Sequence, residues 1–386
     1  MLTIGRVGNP VKAVLEAHKN TYSDLRIAQA ATVTEMVKWL KTGKMEPEEL
    51  SVKAIWEALV AESNPHLDPR FSDFQEIREA ITSSQFPKLT GALIHGTLMR
   101  QYEFNVGDLM SLVSERESTN REETYAGTTP GERGSHVEEG APFSTIQIGE
   151  KFFQIANKKF GKGVELTREM LIFDKTGDVL KRARDNGTFL GFSLASFICY
   201  RLTDTVYPEV DHAGTSQAYI INGTRRAMYA DTHAAWDTYA NDNVYAASLP
   251  SISVVRGMRK LSKGMKDENG DRIVATTPVV FGTDLIEDEL RTFFEAQDFD
   301  VNSANKDKNI YKGKSRVVTS AFFPSDTRWY MGDPQRQCIL QWVWPPSTEV
   351  GDGDPQRQIV AAWWSSYMCG LGNEDYRFVV ENQYAG

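Results

Sequence analysis

The sequence predicts a mixed α+β fold in which helices lead and strands close the chain. Three observations carry this. Apolar residues recur at helical spacing before residue 106. A polar, glycine-rich stretch without periodicity follows. From residue 316 on, β-branched and aromatic runs alternate with turn residues.

The first helical patterns cover 25–40, 47–60, 71–81 and 89–98. Pro47-Glu48-Glu49 is a helix start, with proline in the first turn and acids at the positive end of the dipole. Val52, Ile55, Trp56, Leu59 and Val60 then form one stripe, which Asn64-Pro65 ends. Phe71, Phe74, Ile77 and Ile81 form the next, and Leu89, Leu93, Ile94 and Leu98 another. Periodicity leaves two readings open: an ordinary bundle, or amphipathic helices that dock on another surface.

Residues 114–140 are polar and charged. Gly127, Pro130, Gly131, Gly134 and Gly140 interrupt any regular element. Structureless segments beyond ~12–15 residues are usually functional or disordered. Residues 143–164 then read as extended strands, with Ile146, Ile148, Phe152 and Ile155 among polar neighbours. A polar loop feeding a returning strand describes an arm that projects from the body.

A long helix follows over 178–202. Gly187 and Gly191 weaken it by roughly 1 kcal/mol each relative to alanine, so Gly187 marks a kink or a close helix contact. A further helix spans 252–265. Residues 267–271, Asp-Glu-Asn-Gly-Asp, form a hairpin turn around Asn-Gly. A strand is expected at 277–281 and a helix at 284–294, with acids in its first turn. Strands are expected at 316–323, 329–331, 339–344, 359–364 and 376–380.

One motif repeats. Gly332-Asp333-Pro334-Gln335-Arg336-Gln337 recurs at residues 353–358, and each copy precedes an apolar strand carrying Trp342 or Trp363 at the same offset. Gly-Asp-Pro is turn chemistry, so two turn-then-strand units should share one sheet. Trp329, Trp342, Trp344, Trp363 and Trp364 fall here, as packed sheet core or as an aromatic subunit interface.

Composition narrows the function classes. The 386 residues suggest two to three domain-sized units. Hydrophobic residues at 41% and charged residues at 25% are ordinary globular usage. A net charge of −9 argues against a surface that grips nucleic acid throughout. Cys199, Cys338 and Cys369 are too few and scattered for a disulfide framework or a thiolate zinc site. No apolar leader opens the chain. The longest apolar stretch, 189–200, falls short of the ~20 residues that span a bilayer. A soluble protein made in the cytosol is expected.

Catalytic motifs fail one by one. Gly313-Lys314-Ser315 ends like a phosphate loop, but Lys308 stands where the leading glycine belongs. Gly161-Lys162-Gly163 lacks the third glycine of a dinucleotide fingerprint. Residues 191–195 lack the closing glycine of a nucleophile elbow. His136-Val137-Glu138 has deaminase spacing without the cysteine pair. Residues 267–271 place glycine fourth rather than sixth for a calcium loop, and Pro278 stands at the twelfth position. Asp211-His212 and Asp231-Thr232-His233 could form an acid–base or metal pair, but surface-loop histidines are the simpler reading. No catalytic, cofactor-binding or metal-binding residue is expected.

Several segments in order resemble the major capsid proteins of tailed phages, particularly the Mu-like head-subunit branch of the HK97-fold group. Phe160-Gly161-Lys162-Gly163-Val164-Glu165-Leu166-Thr167-Arg168-Glu169-Met170-Leu171-Ile172 resembles that branch's strand followed by (S/T)-R-E-x-(L/I)-I. Phe173-Asp174-Lys175-Thr176-Gly177 matches its D-D-L-G continuation in part. Met265-Lys266-Asp267-Glu268-Asn269-Gly270, then Thr277-Pro278-Val279-Val280-Phe281, resemble its K-D-x-x-G turn and Pro-led strand. Residues 326–334 resemble its D-T-x-x-W-Y-L-x-x-D-P, and Asp375-Tyr376-Arg377 its D-W-R close. The first 105 residues carry no motif of the group.

The resemblance implies an HK97-like capsid fold. Residues 1–105 would be a helical N-terminal arm, either retained or removed as a scaffolding segment. Residues 106–166 would be the extended E-loop and flanking strands. Residues 167–210 would be the P domain with its long spine helix, 211–315 the A domain, and 316–386 the strands completing both. It implies a major capsid (head) protein, not an enzyme, that self-assembles into the icosahedral shell enclosing phage DNA. Arg116, Glu117, Arg121, Glu122, Glu123, Arg133, Glu138 and Glu139 would be the E-loop's subunit-contact candidates. The implied partners are the chain itself as hexamers and pentamers, portal and scaffolding or decoration proteins, and packaged double-stranded DNA held by non-specific confinement. No cofactor and no membrane is implied. The location would be the virion capsid, assembled in the host cytoplasm. Lys151, Lys158, Lys159 and Lys162 flank the loop, but no partner for a lysine crosslink can be matched. The alternatives are an encapsulin-like nanocompartment shell and, further off, a soluble α+β enzyme.

Overall fold

The computed structural model describes residues 9–126, 139, 152–211, 215–234, 239, 241–247, 249–267, 270–296 and 309–384. Five helices come first: α1 (Pro10–Lys19), α2 (Leu25–Lys41), α3 (Val52–Trp56), α4 (Phe74–Ser83) and α5 (Phe86–Val106). Asn9, Asp24, Ser51 and Asp73 cap the first four by accepting hydrogen bonds from first-turn amides. Next come β1 (Ser114–Glu117), β2 (Glu122–Ala126), β3 (Phe152–Ala156), β4 (Lys158–Thr167), the short α6 (Arg168–Ile172) and the long α7 (Thr176–Leu202). The remainder is β5 (Ile220–Ile221), β6 (Thr224–Arg225), β7 (Val244–Ala247), α8 (Ile252–Gly264), β8 (Val279–Gly282), α9 (Glu287–Glu295), β9 (Arg316–Thr319), β10 (Arg328–Gly332), α10 (Pro334–Gln337), β11 (Cys338–Gly351), β12 (Ile359–Asn373) and β13 (Val379–Tyr384). The architecture is the mixed α+β one that the sequence predicts. Among the described residues three sheets form, in the orders β1-β11-β12-β4, β7-β13-β10-β8-β9 and β2-β3-β5-β6.

Several local expectations change. Pro47–Glu49 makes a single 3-10 turn, Leu50 is extended, and Ser51 restarts the helix. That helix then widens into a π turn over Glu57–Ala61. The Gln29 amide donates to the carbonyls of Ala58 and Leu59 there, satisfying groups that the wider turn leaves open. Phe71 does not join its predicted stripe. It is 85% exposed, because the helix begins only after the Asp73 cap. The predicted strand at 376–380 opens as a 3-10 turn, with the Asp375 carboxylate accepting from the Arg377 amide. β11 and β12 run well beyond the predicted 344 and 364. β1 pairs only with Ile339–Trp342, so beyond that point β11, which carries Pro345 and Pro346, has one open edge.

Two compact units divide the chain. One comprises Met1–Asn105, Lys159–Ser193 and Trp344–Tyr367. Its core joins Val11, Leu15, Val33, Met36, Ile55, Trp56 and Leu59 to Leu166, Val179 and Trp363. The stripe at 52–60 is therefore buried within the chain, as in the bundle reading. Arg168 ties the 69–72 turn by donating to the Pro69 and Ser72 carbonyls. Gly187 and Gly191 mark a close helix contact rather than a kink. A Cβ on Gly187 would stand 2.3 Å from the Leu98 carbonyl oxygen of α5.

The other unit comprises Val106–Lys158, Leu194–Val343 and Met368–Gly386. In its five-stranded sheet the pleat sorts side chains by parity. Val280, Val317, Trp329, Met331 and Val380 join Val255, Met258, Leu290 and Phe294 from α8 and α9 in one cluster. The alternate residues Phe281 and Tyr330 stack on each other at 5.1 Å. Asn222-Gly223, both at positive φ, close the β5–β6 hairpin. The turn at 267–271 is a hairpin as predicted: Lys266 bridges Arg272, and Gly270 sits at φ +86°. Both copies of the repeat precede neighbouring strands, β11 and β12. In each copy the aspartate amide donates to a carbonyl, Asp333 to Phe378 and Asp354 to Ile359, both at 2.9 Å. The Arg201 guanidinium grips the Asp211 carboxylate at 2.8 and 2.6 Å, with both side chains almost fully buried.

These contacts set two expectations. Gly96 of α5 has open space where a Cβ would go, so Gly96→Ala should stabilise by about 0.5–1 kcal/mol. Gly187→Ala should instead destabilise by about 1–3 kcal/mol through overpacking, and thermal melting of the two variants should move in opposite directions. Asp211→Ala leaves a buried guanidinium unpaired and should cost about 3–5 kcal/mol in denaturant unfolding.

Candidate assembly surface

The antiparallel pair β2–β3 runs from Glu122 opposite Ala156 to Ala126 opposite Phe152. A polar lock holds its base. Asn157, 4% exposed, donates from Nδ2 to Ser118 Oγ at 2.9 Å and to the Asn120 carbonyl at 2.7 Å. Its Oδ1 accepts from the buried Gln341 amide at 2.8 Å. Gln341 also donates to the Ile155 carbonyl and accepts from the Tyr125 hydroxyl at 2.8 Å. Gly370 is required beneath this lock, since a Cβ there would lie 2.6 Å from Asn157 Oδ1. Buried amides satisfied on both ends fix one geometry, because any slip strands a polar group away from water.

Charge reinforces the base. Glu123 Oε1 collects the Asn120 side-chain amide, the Ser118 hydroxyl and the Thr119 and Asn120 backbone amides. These bonds hold its carboxyl below the usual range, the Asn120 side chain first and Ser118 next. Arg116 pairs with Glu374 at 3.1 Å and lies 5.3 Å over the Tyr125 ring, which stacks on Phe153. Burial pushes the Tyr125 phenol up.

The sequence-predicted contact residues thus separate into groups. Arg116 and Glu123 are engaged within the chain. Glu117, Arg121 and Glu122 are exposed, with no ion pair among the described residues. Glu139 is exposed in a turn. Arg133 and Glu138 lie outside the described residues.

A second exposed feature escaped the pattern reading. Trp363 and Trp364 are adjacent on β12 and must face opposite sides. Trp363 is fully buried, and its indole N–H donates to the Pro87 carbonyl at 3.2 Å. Trp364 is 51% exposed and lies across Gly163 of β4 and Gly351 of β11. A Cβ at either glycine would stand within 2.4 Å of the indole, which explains the glycine at 163 without any phosphate. Trp329 is core, while Trp342 is half-buried and donates to the Glu115 carboxylate at 2.9 Å.

The remaining chemical candidates resolve into structure. His233 is not a surface-loop histidine. It is 1% exposed, 3.0 Å from Asn243 Oδ1 and packed on Tyr376, because the loop carrying it is drawn in by the buried Asn243. His212 and His136 lie outside the described residues. Ser315 donates to the Thr277 carbonyl and Gly313 turns at φ +67°, leading into β9. The three cysteines are free and buried, and burial pushes the Cys338 thiol up to about 12. Among the described residues no cluster of three histidine, cysteine or acidic side chains could hold a metal ion. No helix among them is long and apolar enough to cross a membrane.

Comparison with known proteins gives one assignment. Residues 153–382 match the family described as phage capsid protein, which is more than half of the chain. No curated protein matches. Among solved structures, one from Mycobacterium phage Bobi is 10% identical, covers 72% of this chain and 91% of its own, and has a TM-score of 0.46. One from Gordonia phage Cozz is 12% identical, covering 72% and 86%, at 0.44. A virus-like particle from Pyrococcus furiosus is 9% identical, covering 74% and 97%, at 0.39. The family match carries the assignment alone: this chain belongs to the family of phage capsid proteins.

Proposed function

We propose that the chain is the major capsid subunit of a tailed phage, with an HK97-like fold that assembles as hexamers and pentamers into an icosahedral shell around DNA. The observation that carries this reading is the locked base of the β2–β3 pair in a chain of the phage capsid family. Residues 106–166 act as the E-loop, 167–210 as the P domain with α7 as spine helix, and 211–315 as the A domain. Residues 316–386 complete both, and 1–105 form a helical N-terminal arm. By its ordered motifs the chain resembles the Mu-like branch.

The mechanism follows from the arm. A fixed base aims the segment between β2 and β3 at a neighbouring subunit. Backbone pairing there gains hydrogen bonds by strand addition. Glu117, Arg121, Glu122, Arg133, Glu138 and Glu139 set the register between subunits more than they add affinity. Each contact can be weak, because a closed lattice multiplies contacts by effective concentration. Portal, scaffolding or decoration proteins complete the shell, and DNA is held by confinement.

Deleting residues 127–140, which spares β2 and the lock at its base, should abolish shells in electron microscopy while leaving a folded monomer in light scattering. Normal shells from that deletion would remove the E-loop assignment. Nuclease-resistant DNA in native particles is expected; its absence would favour a cargo compartment. Assembled particles should run as one 43.4 kDa band on a denaturing gel, and a covalent ladder would show crosslinking. The lowered Glu123 carboxyl stabilises the arm base above the ordinary glutamate range and loses that effect as pH falls through its depressed value. Hydrogen-exchange protection at 118–123, taken relative to the intrinsic rate at each pH, should therefore fall in acid for the native chain, and Glu123→Gln should show low protection at every pH.

A further inference from the structure

Charge is sorted by helix on one layer of the second unit. α8 and α9 cover the same face of the five-stranded sheet, since Val255 and Met258 from one and Leu290 and Phe294 from the other join a single cluster. α8 packs on β7 and β13 at one edge of that sheet, and α9 packs on β9 at the other. All the charges within α8 are basic: Arg256, Arg259, Lys260 and Lys263. Those within α9 are acidic except Arg291. Pairing inside the chain accounts for part of this. Arg291 is held by Glu287 and Glu295, and Glu287 also accepts from the Thr319 hydroxyl at 2.9 Å. Arg259 is half-buried, 5.6 Å from the centre of the Tyr311 ring. Arg256, Lys260, Lys263, Asp288 and Glu289 are left exposed. None of these has an ion pair among the described residues.

A surface hollow of about 850 Å³ lies between the start of α8 and α9. Its lining sets two carboxylates, Asp288 and Glu289, against one guanidinium, Arg256, so the hollow is net acidic. Leu249 and Ile252, both exposed, add apolar surface to it. Lys260 and Lys263 lie outside that lining, three residues apart and so on one face of α8. Copies of a chain at −9 repel one another unless opposite charges meet locally. Here the fold supplies both signs on one layer, and complementary patches of this kind steer encounter and fix register. A phosphate backbone is a poorer match, because it would meet the two carboxylates next to the basic face.

We propose that Lys260 and Lys263 of α8 dock on the acidic hollow of a second copy, against Asp288 and Glu289, head to tail around each ring of subunits. The two faces differ, so the contact is heterologous, and such a contact closes into a ring when its rotation does. The ring rests on the assembly reading above; the sorting of charge does not.

The test reverses charge on one face at a time in the full chain. Lys260→Glu with Lys263→Glu leaves acids at both places, and Asp288→Lys with Glu289→Lys leaves bases at both. Each variant alone should lower shell yield in electron microscopy about tenfold or more, with the melting temperature of the parent chain. All four substitutions in one chain should restore closed shells, because the signs match again. Mixing the two variants should restore association in light scattering, since each copy then meets its opposite. Strict alternation fits a ring of six and not one of five, so the mixture should give hexamers or flat sheets rather than closed shells. A defect that neither mixing nor the fourfold variant repairs overturns the pairing and leaves a packing role. A mixture that stops at two subunits overturns the head-to-tail arrangement. A short DNA duplex bound by the parent chain and lost only in the lysine variant, without rescue on mixing, gives the basic face to nucleic acid and overturns the second copy. Parental shell yields from every variant strike this contact alone, whereas a parent chain that never associates removes the assembly reading and the contact together.

Discussion

The second unit depends on buried carboxamides that take the place of secondary structure. Much of its backbone is irregular, and irregular backbone cannot be buried unless every N–H and C=O finds a partner. Asn243 is fully buried and donates to the Met228 and Tyr376 carbonyls while accepting from the Ala230 amide. Asn241 bonds both the amide and the carbonyl of Lys266. Asn373 donates to the Arg201 and Ala218 carbonyls. At the base of the β2–β3 pair Asn157 and Gln341 each donate to one backbone carbonyl, of Asn120 and Ile155, and bond to each other. Asn243 and Asn373 each satisfy backbone groups on different segments, so they hold loops as a ladder would hold strands.

Close packing of aromatics on glycine is the second device. Trp363 lies over Gly91, and Trp364 over Gly163 and Gly351. Gly257 leaves room for Tyr245, and Gly332 for the Phe378 carbonyl. Flat rings bury large areas, but only where no Cβ stands between ring and backbone. The same logic brings α7 against α5 at Gly187 and Gly191.

Phe71, Phe104, Phe173, Val274 and Trp364 face solvent, and single exposed apolar residues need no explanation in a monomer. The described charged residues at the β2–β3 pair divide between those that build its base and those left outward. That division is physical: a carboxylate such as Glu123, surrounded by donors in its own turn, is engaged, whereas Glu122 on the next pleat is not.

The sequence by itself determined the fold class, the long helix, the repeat that starts two neighbouring strands, and the hairpin turn at 267–271. Each of these is written in local chemistry: spacing, proline, glycine and Asn-Gly. It also carried the ordered motifs that resemble phage capsid proteins. It misled where local signals compete, as at Pro47–Glu49, where a strong start yields one turn, and at Phe71, which the Asp73 cap excludes. Asn222-Gly223 stood unmarked although its hairpin signature is the same as that at residues 269–270. Only the tertiary structure decided the rest. Trp363 and Trp364 are the same residue type on one strand, and the pleat with its neighbours buries one and exposes the other. His233, Asn157 and Arg201 are ordinary polar residues in sequence. Burial and partners far along the chain make them a core histidine, a lock and half of a buried ion pair, because desolvation depends on what packs around a group and not on what precedes it.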